Sequence, residues 1–254
     1  MSSPIAKING YIDKLDMDLY GVASVERYQQ EFPDKLPVHR YIPDARSIIV
    51  IGLRHEPYTM ASVLHPEWSG LAFSQYPVDE REVLTEASGL PQARTWFFST
   101  ETQTLLRELD IASYKLARFI REGGFRCFRL PVRSSTLYMN RVNISIPFDI
   151  DDVLYLSGLG NKGLNKRFLT KKYGPRFRAA GLITDLPLKA GDPIDEPLCT
   201  RCGICAESCP AGAIDREKGR DMVSCSNFGC CGVCMAICPV GELTIPEDLK
   251  ENAP

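Results

Sequence analysis

The sequence lacks several features that would fix a protein's location or its cofactor. No uninterrupted run of eighteen apolar residues occurs in the 254-residue chain, so no membrane span is predicted. The opening residues, Met-Ser-Ser-Pro-Ile-Ala-Lys, include neither an apolar signal core nor a twin-arginine pair. The three histidines, His39, His55 and His65, show no spacing typical of metal ligands. We therefore expect a cytoplasmic protein whose metal chemistry, if any, does not depend on histidine.

Cysteine is abundant, and it is concentrated in one place. Nine of the ten cysteines lie within forty residues near the C-terminus. Residues 199–210 follow the pattern C-x2-C-x2-C-x3-C-P, and a second run ends in Cys238-Pro239. In two-cluster ferredoxins, three closely spaced cysteines bind one cluster while the fourth, before proline, binds the other. Dense cysteines in a reducing cytoplasm favour a metal over disulfides, and zinc sites do not need this doubled spacing.

The spacing predicts two [4Fe–4S] clusters, each completed by a cysteine of the other run. The predicted ligands of the first cluster are Cys199, Cys202, Cys205 and Cys238. The predicted ligands of the second are Cys209, Cys231, Cys234 and either Cys225 or Cys230, of which we prefer Cys225. The remaining cysteine, Cys127, is interpreted as a buried thiol on a strand.

The rest of the chain predicts an α/β fold. Apolar spacing indicates a helix over residues 4–17, and β-branched or apolar runs indicate strands at 19–25, 47–53, 125–130 and 179–184. A capping box at residues 100–103 predicts the start of a long helix that ends at Gly123-Gly124. Residues 55–98 are expected to form loops with short helices. The predicted division is an α/β domain over residues 1–190 and a ferredoxin-like domain over residues 191–254.

A glycine-rich segment at residues 158–163 matches G-x-G-x-x-G. A dinucleotide loop is disfavoured because residues 148–156 favour a helix, where a strand is required, and no acidic residue follows about twenty positions later. A turn that approaches another flat or phosphorylated cofactor stays open. Residues 162–178 carry seven cationic and no acidic side chains, which suit a phosphate, an anionic cofactor tail, an RNA backbone, an acidic donor protein or a solvated face.

Several segments together resemble the corrinoid iron–sulfur reductases, which include the reductive dehalogenases and the epoxyqueuosine reductases. The resemblance is carried by Ser145-Ile-Pro147, Ser157-Gly-Leu-Gly160, Tyr173-Gly-Pro-Arg176, residues 182–188 and the doubled cysteine run. It implies a nitroreductase-like α/β domain that holds cobalamin, followed by a bacterial ferredoxin-like module with two [4Fe–4S] clusters. The candidate cofactor-binding residues are Ser145, Gly158, Gly160, Gly163 and Asn165.

The chain also departs from this family. Ile144 occupies the position that we match to the proton-donating aspartate of epoxyqueuosine reductases, which disfavours that activity and makes a nucleic-acid partner an unfavoured expectation. Tyr138 with Arg141 are candidates for the tyrosine and basic residue of reductive dehalogenases, although a surface location is the alternative. We therefore expect an iron–sulfur oxidoreductase that passes electrons from a ferredoxin or flavodoxin to a corrinoid or a small-molecule substrate. The alternative is an electron-transfer or corrinoid-reactivating partner with no substrate of its own.

Overall fold

A computed structural model describes residues 4–35, 37–64, 90–132 and 149–242. Its central element is a four-stranded sheet in the order β1-β2-β6-β3. Every neighbouring pair is antiparallel. The strands are β1 (Leu19–Ser24), β2 (Ser47–Arg54), β3 (Cys127–Arg129) and β6 (Phe177–Thr184). These four strands were all predicted from their apolar runs, with ends that differ by one or two residues.

Helices cover both faces of this sheet because the buried strand β2 sends apolar side chains to each. Ile49 and Ile51 pack with α1 (Pro4–Ile12) and α4 (Leu90–Glu122). Ile48 and Val50 pack on the opposite face, where the layer contains α2 (Val25–Glu31) and α5 (Ile150–Leu156). Alternate residues of a strand point to opposite faces, so this sequence of branched apolar residues builds two cores at once. Two single-turn 3-10 helices, Asp13–Leu15 and Val38–Arg40, and the short helix α3 (Pro57–Ser62) connect these elements.

The long helix begins earlier than the sequence predicts. Its first residue is Leu90, so the capping box at residues 100–103 lies inside the helix and the predicted start was wrong. Glu101, a member of that box, instead accepts hydrogen bonds from His55 and from the backbone of Glu56. The predicted end was correct, since Gly124 has φ of 88° and Phe125 donates to the carbonyl of Ile120, 3.2 Å away.

The cysteine-rich region is built from short elements that share a core with the larger part. It contains α6 (Ile204–Glu207), the strand pair β7 (Ile214–Asp215) and β8 (Gly219–Arg220), α7 (Met222–Asn227) and α8 (Val233–Ala236). Phe98, Leu164 and Met60 pack with Met235 and Val233 in one apolar cluster. The chain therefore combines a mixed α/β fold with a ferredoxin-like segment, while the nitroreductase-like assignment and the boundary at residue 190 stay predictions.

A two-stranded hairpin joins these two parts. Its strands are β4 (Gly160–Lys162) and β5 (Phe168–Thr170), and it comes directly after α5. The sequence prediction missed this hairpin because each strand has three residues, which is too short to show a periodic pattern. Its position matters because Arg167, in its turn, lines one cavity together with residues of β6 and another together with the cysteines.

Candidate iron–sulfur centres and a basic cavity

The first predicted set of cysteines lines one small cavity. The four residues are Cys199, Cys202, Cys205 and Cys238, so a cysteine of the second run completes the first group. Burial, together with the neighbouring cysteines, raises the pKa of Cys205 to about 11. Four thiolates can share such a space only if positive charge lies between them, which a cluster of iron ions would provide. The side chain of Cys202 is exposed, so this group lies at the surface of the protein.

The second predicted set lines a separate cavity with Cys209, Cys231 and Cys234. Both Cys225 and Cys230 also line it, and their thiols share a hydrogen bond that lowers the pKa of Cys230 to about 6 and raises that of Cys225. Cys230 has a left-handed backbone, with φ of 54°. The structure thus groups the cysteines as the spacing predicts and leaves the choice of the eighth ligand open.

The surroundings of the sulfur atoms suit iron–sulfur clusters. The backbone amides of Leu164 and Ala213 donate to the sulfurs of Cys199 and Cys209 at 3.4 Å, and such bonds stabilise cluster thiolates. Within the described ranges, no three Cys, His, Asp or Glu side chains are close enough to hold a single metal ion.

Two polar side chains of the hairpin segment fix the cysteine region against the sheet. Arg176 is buried and donates to the carbonyl oxygens of Met235, Cys238 and Val240 at 3.2, 2.8 and 2.8 Å. Asn165 is also buried and donates to the carbonyl of Cys234 at 3.0 Å. Each side chain therefore holds the backbone of a predicted ligand. The sequence analysis identified Arg176 as one charge of a basic stretch and as part of the Tyr173-Gly-Pro-Arg176 motif, but it did not predict this contact with the cysteine region.

The glycines of the G-x-G-x-x-G segment lie against protein backbone. A Cβ atom at Gly158 would lie 2.3 Å from the carbonyl oxygen of Asp192, and one at Gly160 would lie 1.8 Å from that of Leu169. At Gly163 the nearest atom would be a methyl of Leu169, at 2.8 Å. The glycines allow α5, the hairpin and the segment after β6 to pack closely. The helix that precedes them confirms the prediction made for residues 148–156, and a cofactor role for these glycines stays a prediction.

A larger cavity of about 300 Å³ lies between the sheet, the hairpin and the cysteine region. Phe98, Phe168 and Phe177 contribute apolar walls. Its wall also contains five described cationic side chains, which are those of Lys162, Lys166, Arg167, Arg178 and Arg220. It contains two described carboxylates, those of Asp149 and Asp151. Cys230 lines this cavity as well as that of the second cysteine set. The basic cavity, as we call it, is therefore adjacent to the second predicted cluster.

A buried histidine lies near the basic cavity, and the sequence analysis did not single it out. The Nδ1 atom of His55 lies 2.8 Å from Glu101, and its ring stacks on Phe98 at 5.0 Å. Burial lowers the pKa of His55 to about 4, so the ring is neutral near pH 7. Its Nε2 atom has no hydrogen-bond partner within the described part of the chain. The sequence contains no signal for this site, because no second histidine lies at a metal-ligand spacing from His55.

Three predicted site residues, Tyr138, Arg141 and Ser145, lie outside the described residues, as does Ile144. Cys127 is on β3 as predicted, and burial raises the pKa of its thiol to about 12. No helix within the described ranges has the length and apolar character needed to cross a membrane.

Comparison with known proteins identifies part of the cysteine region. Residues 192–215 match the family of 4Fe-4S binding domains. The chain is 36% identical over 109 residues to the tetrachloroethene reductive dehalogenase of Desulfitobacterium hafniense, a match that covers 42% of this chain and 17% of that protein. It is 39% identical over 72 residues to the epoxyqueuosine reductase of Cyclobacterium marinum, covering 28% of this chain and 23% of that protein. The matched region is less than a quarter of each of these relatives.

Solved structures of the same two groups share the fold. An epoxyqueuosine reductase bound to a tRNA-Tyr stem loop has a TM-score of 0.57 at 16% identity, covering 98% of this chain and 69% of that one. A reductive dehalogenase associated with B12-dependent dehalogenation has a TM-score of 0.56 at 18% identity, covering 97% and 32%. The chain is therefore similar in sequence to reductive dehalogenases and epoxyqueuosine reductases, shares their fold, and contains a segment that matches the 4Fe-4S binding domains.

Proposed function

We propose that the chain is an iron–sulfur oxidoreductase that passes single electrons through two [4Fe–4S] clusters to an acceptor in the basic cavity. The observation that carries this proposal is the position of the two cysteine sets. Cys202 of the first set is exposed, and Cys230 beside the second set lines the basic cavity. Electrons can therefore enter at the surface and leave toward the cavity.

The donor that suits this arrangement is a low-potential protein such as a ferredoxin or flavodoxin. Clusters held at these sites would supply the one-electron steps. The protein's own residues exclude water and hold the ligands in place: Val233, Met235 and Ala236 are buried around the second set, and Arg176 fixes the backbone at Cys238. Buried apolar surroundings and hydrogen bonds to sulfur both set the potential of such centres.

Cobalamin is the second cofactor that the resemblance implies. A cavity of about 300 Å³ is at the lower end for small organic ligands, so the described walls would hold a substrate or one edge of a corrinoid. Phe168, Phe177 and Lys166 are the wall residues that would contact it. When bound, cobalamin would supply the cobalt chemistry that cleaves a carbon–halogen bond.

The reaction that best fits these elements is reductive dehalogenation. An organic halide takes up two electrons and one proton, the carbon–halogen bond breaks, a carbon–hydrogen bond forms, and halide ion leaves. The external donor provides both electrons, one at a time. Tyr138 and Arg141 stay the candidates for proton delivery.

The test is anaerobic reconstitution followed by three measurements. We expect about eight irons per chain, a stoichiometric corrinoid absorbance that survives gel filtration, and halide release from chlorinated or brominated phenols with reduced ferredoxin as donor. Clusters without corrinoid or halide release would instead support the electron-transfer or reactivating protein. Zinc, or far fewer irons, would contradict both.

Reduction of epoxyqueuosine in tRNA is a second candidate function. It is supported by the structural similarity to the enzyme bound to a tRNA stem loop, and by the exposed side chains of Lys171 and Lys172 after β5. With reduced ferredoxin as donor, the cofactor-loaded protein should then convert an epoxyqueuosine-containing stem loop to queuosine, using two electrons and two protons and releasing the epoxide oxygen as water. Lys171→Glu with Lys172→Glu should weaken binding of that RNA. Halide release without any RNA conversion would exclude this candidate.

A further inference from the structure

The basic cavity carries more positive charge than its own carboxylates neutralise. The charge of Lys162 is neutralised, because its Nζ lies 3.1 Å from Asp149 and 3.5 Å from Asp151. Arg167, Arg178 and Arg220 have no acidic partner within 4.0 Å among the described residues. None of the described carboxylates therefore forms an ion pair with these three guanidinium groups.

The hydrogen-bonding capacity of these groups is also incompletely used. Arg220 is 5% exposed; one of its nitrogens lies 3.5 Å from the carbonyl oxygen of Lys166, while its Nε and Nη1 atoms have no hydrogen-bond partner among the described residues. The Nε atom of Arg167 is likewise buried and has no partner in the part of the chain that the structure describes. A buried donor without an acceptor destabilises the folded protein, and a buried unpaired charge does so more strongly. Arginine forks of this kind are typical binding groups for carboxylate and phosphate.

Arg178, on β6, adds a third guanidinium group to the same wall. Its guanidinium lies over the ring of Phe98 at 5.4 Å and donates to the hydroxyl of Thr102 at 3.2 Å. Burial, and repulsion from Arg167, lower the pKa of Arg178. Cys230 and Glu101 act on this pKa in the opposite direction, and Glu101 is already bonded to His55.

The second cluster is the competing explanation for this charge, because cluster thiolates are anionic. Arg167 does line the cavity of the second cysteine set, and it is a candidate counter-ion for that centre. Arg178 and Arg220 line the basic cavity and are absent from the wall of the cysteine cavity, although the thiols of Cys225, Cys230 and Cys234 act electrostatically on Arg220. All three guanidinium groups therefore line the space in which an acceptor would bind, and Arg167 is shared with the second cysteine set.

We infer that the basic cavity binds an organic anion, whose carboxylate or phosphate lies against Arg220 and Arg167 and whose apolar part lies against Phe168 and Phe177. This inference rests on the proposed function in one respect, since it assigns a charge to the substrate of that site. The binding itself needs no electron transfer and can be tested without turnover.

Isothermal titration calorimetry of the cluster-loaded protein under anaerobic conditions tests the inference. The probes are benzoate, its neutral analogue benzamide, and inorganic phosphate. We expect one benzoate per chain, bound at least tenfold more tightly than benzamide, and competition between benzoate and phosphate. Arg220→Gln should weaken benzoate binding at least tenfold, whereas Arg220→Lys should retain part of it because charge is kept while the fork is lost.

A matched variant controls for general charge effects. Arg216→Gln removes an exposed arginine that pairs with Glu207. This variant should bind benzoate as the parent does. Iron content and thermal unfolding of each variant establish that it is folded, and Arg167→Gln provides a second test if Arg220→Gln is not.

The outcomes separate this inference from the proposed function. Equal affinity for benzoate and benzamide, no saturable binding of either anion, or full benzoate affinity in a folded Arg220→Gln protein would each overturn it. A change in the reduction potential of the second cluster with unchanged benzoate affinity would assign Arg220 to the cluster instead. Failure of halide release alongside selective benzoate binding would contradict only the proposed function.

Discussion

The sheet and the cysteine region of this protein are stabilised by different interactions. In the sheet, β2 buries six consecutive residues, Ser47 to Gly52, and the helices on both faces complete two apolar cores. In the cysteine region the helices have four to six residues and the strands two, which is too little for stability on their own. From this difference we infer that burial of apolar side chains stabilises the first part. We expect the stability of the second part to depend on its predicted clusters and on its contacts with the hairpin.

Removal of the clusters should have the largest effect and tests most directly whether they stabilise the cysteine region. Anaerobic chelation of iron is expected to unfold residues 199–240 while the amides of β2 and β6 stay protected, because metal binding supplies folding free energy to small metal domains. Hydrogen exchange of loaded and iron-free protein measures this. Equal protection of residues 199–240 in both forms would show that the region folds through its packing alone.

Substitution of one cysteine at a time sharpens the assignment of the second set. Cys225→Ser is expected to reduce the iron content from about eight to about four per chain, and Cys230→Ser is expected to leave it unchanged. The two residues share one cavity and one hydrogen bond, so each is a matched control for the other. The reverse result, measured by iron analysis and electron paramagnetic resonance, would make Cys230 the eighth ligand.

Arg176 connects the sheet and the cysteine region through three hydrogen bonds to backbone carbonyls. Arg176→Gln would leave up to three buried carbonyl oxygens without their donor, at about 1–3 kcal/mol each. We expect faster hydrogen exchange in residues 235–242 and loss of iron from the first set, with the sheet unaffected.

Arg27→Gln, which removes the partly exposed ion pair with Asp192, is the control for this change and should cost less than about 1 kcal/mol. If Arg176→Gln retained its iron and its exchange rates, the guanidinium would not be what holds the ligand backbone.

The smallest expected effect concerns pH and the neutral His55. Its folded pKa of about 4 is below the unfolded value of about 6.5, so the unfolded state binds the proton first as the pH falls. The contribution of His55 to the free energy of unfolding should therefore be fully present above pH 6.5 and decline toward pH 4, by at most about 3 kcal/mol.

Hydrogen exchange of β2 amides between pH 4 and 7 measures this slope, corrected for the intrinsic exchange rate. His55→Gln should flatten it, whereas His39→Gln, at an exposed histidine, should not. An unchanged slope in His55→Gln would attribute the pH dependence to other groups.

The sequence predicted the elements that repeat a simple pattern and missed those that depend on distant partners. The strand at 47–53 and the end of the long helix follow from local composition, and the grouping of Cys238 with the first run follows from cluster geometry. The basic cavity did not follow, because Arg220 is more than forty residues from Arg178 in the chain. The start of α4 was wrong because Glu101 serves a tertiary contact rather than a cap.

The exchange of Cys209 and Cys238 between the two cysteine groups has a consequence for biosynthesis. The first cavity lacks its fourth thiol until Cys238 has been translated, although its other three cysteines emerge much earlier. On the predicted ligand assignment, neither half of the motif binds a complete cluster by itself. We therefore expect both clusters to be completed only after the second cysteine run has been synthesised.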